Sequence, residues 1–231
     1  MIVMKDITKI YEMGSAQVFA LNGVNLEIDD GDFLAVMGPS GSGKSTLLYT
    51  VGALLTPTKG NVTIDGKSIY RMKPRQRAEF RRKNVGFIFQ TFELLPYLTA
   101  LENVVLPLYL SGVTISKHED IAEEALRKVG LADRALHKPT ELSGGEQQRV
   151  SIARGIVNNP HILLADEPTG NLDQKTGNEI IQLLHRLSDK DGLTVIMVTH
   201  DPGKARLSDK VLQMIDGRIV ENEQRIYRKR R

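Results

Sequence analysis

Gly38-Pro39-Ser40-Gly41-Ser42-Gly43-Lys44-Ser45 restricts what this chain can fold into more than any other stretch. It satisfies G-x-x-x-x-G-K-[ST], and it stands between an apolar run, Phe33 to Met37, that reads as a buried strand and a segment, Ser45 to Leu54, that reads as a helix. In that setting the glycines let successive backbone N–H groups turn inward around phosphate oxygens. The following helix offers the positive end of its dipole to the same anion. The pattern assigns Lys44 to the β- and γ-phosphates of a nucleotide and Ser45 to a Mg2+ ion.

Such a loop needs a parallel sheet to hold it, and the chain supplies the strands. Short β-branched or apolar runs recur at Val62 to Ile64, Val85 to Phe89, Ile162 to Ala165, Val195 to Val198 and Val211 to Ile215, several apolar on both faces as buried parallel strands are. Between two of them, Gln174 to Lys190 places Ile180, Leu183, Leu184 and Leu187 at i, i+3, i+4 and i+7, one apolar stripe of a helix packed on a sheet. The order strand, helix, strand predicts an α/β fold with right-handed crossovers. Met1 to Tyr11 and Val18 to Ile28 are strand-like with no helix between them, which predicts an antiparallel edge or a small β-subdomain. Residues 92 to 160 read as a helical insertion, with Thr99 to Gly130 and Gly144 to Asn159 largely helical. Ser116 and Glu119 are expected to form a capping box, and Glu123/Arg127 and Glu124/Lys128 to form i,i+4 pairs.

Composition narrows the function classes. At 231 residues, 41% hydrophobic and 26% charged, the chain can bury the core of one large domain with a subdomain. With no cysteine there are no disulfides, no thiol catalysis and no cysteine-ligated zinc. No apolar run approaches the ~18 residues of a membrane span, and the N-terminus alternates where a signal peptide would be continuously apolar, so a cytoplasmic protein is expected. The basic balance belongs to the end of the chain: Arg225, Arg228, Lys229, Arg230 and Arg231 account for five charges, without which the formal net charge falls from +3 to −2. We read 223 to 231 as a solvated tail, and no nucleic-acid partner is expected.

Phosphoryl transfer also needs carboxylates, and Asp166 and Glu167 close the apolar strand that starts at Ile162. Successive strand side chains point to opposite faces, so the two should be aimed differently. Asp166 is assigned to Mg2+ through water, and Glu167 to the base that polarises the attacking water. His200 follows the strand Thr194 to Thr199, and Gln90 ends Val85 to Phe89, so both lie at the sheet edge where ligands of open α/β folds gather. His200 is expected at the γ-phosphate and Gln90 at the metal or water. His118, His137, His161 and His185 have no such placement.

A further stretch, Leu142-Ser143-Gly144-Gly145-Glu146-Gln147-Gln148-Arg149, reads as a helix start capped reciprocally by Ser143 and Glu146. Its two glycines bare backbone N–H groups and create a second anion site. Together these segments resemble the nucleotide-binding subunit of ATP-binding cassette (ABC) transporters over essentially residues 1 to 222, in one domain. The resemblance implies the ABC ATPase fold: a P-loop NTPase core with a mostly parallel sheet, an N-terminal antiparallel β-subdomain and an inserted α-helical subdomain. It implies Tyr11 stacking on adenine, Gly38 to Thr46 as the Walker A loop, Gln90 as the Q-loop glutamine and Ser143 to Glu146 within the signature motif. Asp166 then ends the Walker B strand, Glu167 is the catalytic glutamate, Asn171 to Asp173 the D-loop and His200 the switch histidine. The implied activity is hydrolysis of ATP with Mg2+ in a head-to-tail dimer of two copies, at the inner face of the cell membrane, coupled to integral membrane permease subunits.

Gly14 to Leu21, Gln90 to Val104, Lys138-Pro139 and Ala165 to Asp173 are most similar to the lipoprotein-releasing, macrolide-export and cell-division branch. Glu146 stands where the family most often has glutamine, which adds negative charge beside the second anion site. The apolar run Phe92, Leu94, Leu95, Tyr97 and Leu98 is expected to be the permease contact. A soluble ABC ATPase and an ATP-binding tether in cell division are the alternatives.

Overall fold

The first strands form β1 (Ile2–Met13), β2 (Ala16–Ile28) and β3 (Phe33–Met37), followed by α1 (Lys44–Val51), β4 (Lys59–Ile64), β5 (Lys67–Ser68), α2 (Pro74–Asn84) and β6 (Val85–Ile88). Three helices follow, α3 (Ala100–Val105), α4 (His118–Lys128) and α5 (Gly144–Ile156). The chain then runs through β7 (Ile162–Asp166), α6 (Gln174–Asp191), β8 (Thr194–Thr199), α7 (Pro202–Ala205), β9 (Lys210–Ile215) and β10 (Arg218–Gln224). The computed structural model describes residues 1–14 and 16–224. The basic residues Arg225 to Arg231 lie outside the described residues. β10 continues two residues past the expected boundary at 222, because Gln224 still pairs with Lys210 of β9.

Two sheets result. One is antiparallel in the order β2-β1-β4-β5, the expected β-subdomain. The other runs β10-β9-β3-β8-β7-β6, parallel throughout except for β10 on β9. Strand alternation divides the core in two: Leu34, Val36, Leu164 and Ile196 face α1 and the antiparallel sheet, whereas Phe33, Ala35, Leu163 and Val195 face the helical side. The stripe Ile180, Leu183, Leu184 and Leu187 of α6 is buried on that second side. Among the described residues no helix is long and apolar enough to cross a membrane.

The helical insertion departs from expectation in its details. Thr99 to Gly130 is largely helical, as expected, but in pieces: α3 gives way to a 3₁₀ turn at Leu106–Leu110, where Pro107 cannot donate a helical hydrogen bond. Ser116 lies in another 3₁₀ turn, α4 begins at His118 without a side-chain cap, and the Ser116/Glu119 box is not made. The box forms at α3, where Thr99 N donates to Glu102 Oε2 at 2.7 Å. The expected i,i+4 pairs are replaced by Arg127 with Glu124 and by Lys128 reaching Asp191 on α6. α5 stops at Ile156. α1 stops at Val51, because Leu54 and Leu55 both return their N–H groups to Tyr49 O.

The run 92 to 98 is partly exposed, with none of its apolar side chains fully buried. Buried Asn103 accepts from Leu95 N and donates to the carbonyls of Leu95, Leu98 and Thr99, folding the segment onto the insertion. Leu94 packs on the helical core, and only Tyr97 of the five is exposed.

Candidate functional site

The phosphate loop leaves β3 and enters α1 at Lys44, with Pro39, Ser40 and Gly41 exposed at its crest. Gly43 is obligatory for two reasons: its φ of 96° is left-handed, and a Cβ there would lie 2.1 Å from Ala20 O of β2. Behind the loop, Gly217 N donates to Ser42 O at 3.1 Å while Asn22 N donates to Gly217 O at 2.9 Å. Gly217 belongs to the tight β9–β10 turn, where Asp216 and Gly217 both take positive φ, the geometry for which Asp-Gly is a sequence signal. The loop is thereby clamped between the two sheets. Lys44 is buried and donates from Nζ to Gly38 O at 2.9 Å and Pro39 O at 2.8 Å. Ser42 Oγ is buried with no hydrogen-bond partner. Thr46 follows in the first turn of α1, and its carbonyl accepts from Thr50 Oγ1.

Strand order then brings the remaining groups to one edge, since β3, β8, β7 and β6 are consecutive neighbours and each ends just before a candidate residue. Ser45 Oγ donates to Asp166 Oδ1 at 3.0 Å, joining residues 121 apart in sequence. Tyr49 OH donates to Asp166 Oδ2 at 2.7 Å. Burial, and then the hydrogen bond and charge of Asp166, raise the Tyr49 phenol well above the ordinary tyrosine value, so it remains an O–H donor. The backbone turns at Glu167, where φ is 47° and N–H donates to Val198 O, so the neighbouring carboxylate is aimed elsewhere. His200 Nδ1 lies 2.9 Å from Glu167 Oε2, and His200 is otherwise exposed.

Gln90 is also exposed and lies against the loop after Glu167: a Cβ on Gly170 would sit 2.7 Å from Gln90 Nε2, and Asn171 Nδ2 donates to Gln90 O at 3.0 Å. Asp173 caps α6 through Lys175 N and Thr176 N, and hydrogen bonding to Thr176, side chain and backbone, does most to hold its carboxyl below the usual range. Arg154 of α5 donates to the carbonyls of Phe92 and Glu93, fixing the segment that follows Gln90.

At the start of α5, Ser143 Oγ accepts from Glu146 N while Glu146 Oε2 accepts from Ser143 N at 2.9 Å, the expected box. Gly144 and Gly145 form the first turn, close to Leu172 and Thr176. Among the described residues, no hydrogen bond joins 143–146 to the phosphate loop. Tyr11 pairs with Val18, two positions from the Ala20 that abuts Gly43, and is exposed with Lys9 Nζ 5.2 Å from its ring centroid. Thus Lys44, Ser45, Asp166, Glu167, His200 and Gln90 occupy one sheet edge, Tyr11 lies on the strand pair beside it, and Ser143 to Glu146 form a separate capped helix start. Tyr49, Arg154 and Arg134, whose Nε donates to Glu146 Oε1, join these sites without any local sequence signal, because their partners are distant in the chain.

A family model described as ABC transporter matches residues 21–170. The chain belongs to the ABC transporter family. It is 48% identical over 222 residues to a lipoprotein-releasing system ATP-binding protein, LolD, of Bacteroides thetaiotaomicron, covering 96% of this chain and 100% of that one. It is 47% identical to the macrolide export ATP-binding/permease protein MacB of Bdellovibrio bacteriovorus, over 98% of this chain and 34% of that protein. The solved dimeric structure of the ABC transporter cassette MJ0796 aligns with a TM-score of 0.89 at 46% identity, over 97% of this chain and 98% of that one. A second structure of MJ0796 is a dimeric post-hydrolysis state bound to ADP and Pi. The chain is accordingly an ATP-binding cassette with the ABC ATPase fold.

Proposed function

We propose that this cassette is the ATP-hydrolysing subunit of a membrane transport or substrate-extraction complex, working as a head-to-tail dimer of two copies. The observation that carries the reading is the division of labour between the adjacent carboxylates, Asp166 held with Ser45 and Glu167 held with His200. Lys44 and the loop N–H groups bind the phosphates, with Ser42 Oγ a buried donor still available to them. Ser45 and Asp166 present a hydroxyl and a carboxylate oxygen side by side, a hard-oxygen pair that suits Mg2+, and Gln90 is placed to add an amide oxygen. When bound, the ion neutralises charge on the β- and γ-phosphate oxygens. Glu167 polarises the attacking water and accepts its proton, while His200 fixes the Glu167 carboxylate through Oε2 and reaches toward the γ-phosphate.

The anion site at Ser143, Gly144, Gly145 and Glu146 is unconnected to its own phosphate loop, which supports its use on a nucleotide held by the second copy. Tyr11 supplies the exposed ring for adenine. For the permease, a groove of about 910 Å3 adjoins the segment 92–98, with Glu93 in its lining, and supports a docking site there. Leu54, Phe87, Phe89 and Leu110 give it an apolar lining, Arg75 and Arg82 line it from α2, and Arg154 connects it to the segment after Gln90. In this reading the cassette works at the inner face of the cell membrane.

Glu167→Gln tests the catalytic assignment: ATP should still bind and trap a dimer by size exclusion, with hydrolysis nearly abolished. Parental turnover in that variant refutes the base. Gentle solubilisation of membranes from source cells carrying the tagged chain should recover a stoichiometric multi-span protein. Recovery from the soluble fraction alone would favour a soluble ABC ATPase.

A further inference from the structure

Glu146 poses an electrostatic problem. It is the third residue of α5, and its carboxylate accepts from Ser143 N and, at 2.7 Å, from Ser143 Oγ, bonds that hold it ionised by keeping its proton affinity below that of an ordinary glutamate. A fixed negative charge thus stands in the first turn of a helix whose bared N–H groups should receive phosphate. The structure answers this with a second contact on the other oxygen: Arg134 Nε donates to Glu146 Oε1 at 3.2 Å. Arg134 is not a loose surface cation at its backbone. It closes the 3₁₀ turn Ala132–Arg134, its N–H donates to Leu131 O, and its carbonyl accepts from His137 N. The same loop is tied to α3 through Ala100 N to His137 O and Leu101 N to Ala135 O.

We propose that Arg134 is a positioning residue of the second anion site, neutralising Glu146 so that the start of α5 can accept the phosphate end of a nucleotide held by a second copy of this chain. Stability does not account for the pair. The Arg134 side chain is 49% exposed and that of Glu146 29%, a setting in which an ion pair contributes little to folding. Its consequence lies in what approaches next: without Arg134, an incoming polyphosphate meets an uncompensated carboxylate. The proposal rests on the two-copy reading above.

The test uses full-length chain carrying Glu167→Gln, with ATP-dependent dimerisation followed by analytical ultracentrifugation, ATP binding to the monomer by a fluorescent analogue, and melting without nucleotide. A closed dimer holds the site twice, so a loss of about five-fold per site becomes about 25-fold in the dimerisation constant. Arg134→Gln should show that loss while monomer binding and melting stay near parental. Adding Glu146→Gln to it should restore dimerisation, because the charge that required compensation is gone. Arg134→Lys should fall between. Parental dimerisation in Arg134→Gln, or failure of the Glu146→Gln partner change to rescue, overturns the proposal. A parental Glu167→Gln chain that stays monomeric in ATP overturns the two-copy reading itself, an outcome told apart because every variant then behaves alike.

Discussion

Replacing Tyr49 by Phe removes one oxygen and leaves the packing of α1 intact, so it isolates the bond to Asp166. The hydroxyl donates at 2.7 Å to Asp166 Oδ2, while Ser45 holds Oδ1 at 3.0 Å. A hydrogen bond to a charged acceptor contributes about 1.5–3 kcal/mol, and because Asp166 is only half-buried, water replaces part of it and about 1–2 kcal/mol should be lost. For 231 residues the unfolding entropy near the midpoint is about 0.5 kcal/mol per kelvin, so Tm should fall by about 2–4 °C. The more telling readout is metal dependence. With Oδ2 released, the carboxylate is no longer held in one plane, and outer-sphere partners of this kind typically change metal affinity by about 10-fold or more. The Mg2+ concentration giving half-maximal thermal stabilisation by ADP should rise by about that factor, with the metal-free ADP shift unchanged. If Tyr49→Phe melts within error of the parent and shows the same Mg2+ midpoint, Asp166 is held by other means and the reasoning fails.

Lys44→Ala should abolish nucleotide binding by equilibrium fluorescence, since it removes the only cation that the phosphate loop itself carries among the described residues. Truncation after Gln224 should leave ATP turnover and Tm unchanged, whereas truncation at 222 removes the last rungs of β10 on β9 and should lower Tm. Lys210, bonded to Asp32 at 2.6 Å and Asp29 at 3.3 Å, has its ammonium pKa raised chiefly by the Asp32 bond. A raised folded-state pKa adds stability that is fully present below the ordinary lysine value of 10.5 and is lost as pH rises through the higher folded value. The Tm difference between the parent and Lys210→Met should therefore be constant from neutral pH to about 10 and shrink only in stronger alkali. A difference that already disappears near pH 8 would refute the assignment.

Much of this architecture is local chemistry and could be read without coordinates. The phosphate loop is recognisable because contiguous glycines, a lysine and a serine act through adjacent backbone groups. The box at Ser143 and Glu146 is recognisable because its partners are three residues apart. The α/β order and the stripe on α6 follow from periodicities of two and 3.6 residues. Local rules also misled where two were in competition. Ser116 and Glu119 have capping spacing, but Thr114 to Lys117 closes as a 3₁₀ turn and the helix starts later. The run Phe92 to Leu98 has the composition of an interface and is partly exposed, but its conformation is set by a single buried amide, Asn103.

The sequence by itself thus determined the phosphate loop, the carboxylate pair and the strand-and-helix order, because each is encoded within about a turn or a strand of its own neighbours. Only the tertiary structure decided which side chain each carboxylate touches, Ser45 for Asp166 and His200 for Glu167, since these residues meet through the order β3-β8-β7 and not through their spacing. It also decided that Gly217 braces the loop, that Tyr49 holds Asp166 and that Arg134 offsets Glu146. Those contacts span 12 to 175 residues, and chain proximity carries no information about them until the sheet has paired and the insertion has packed.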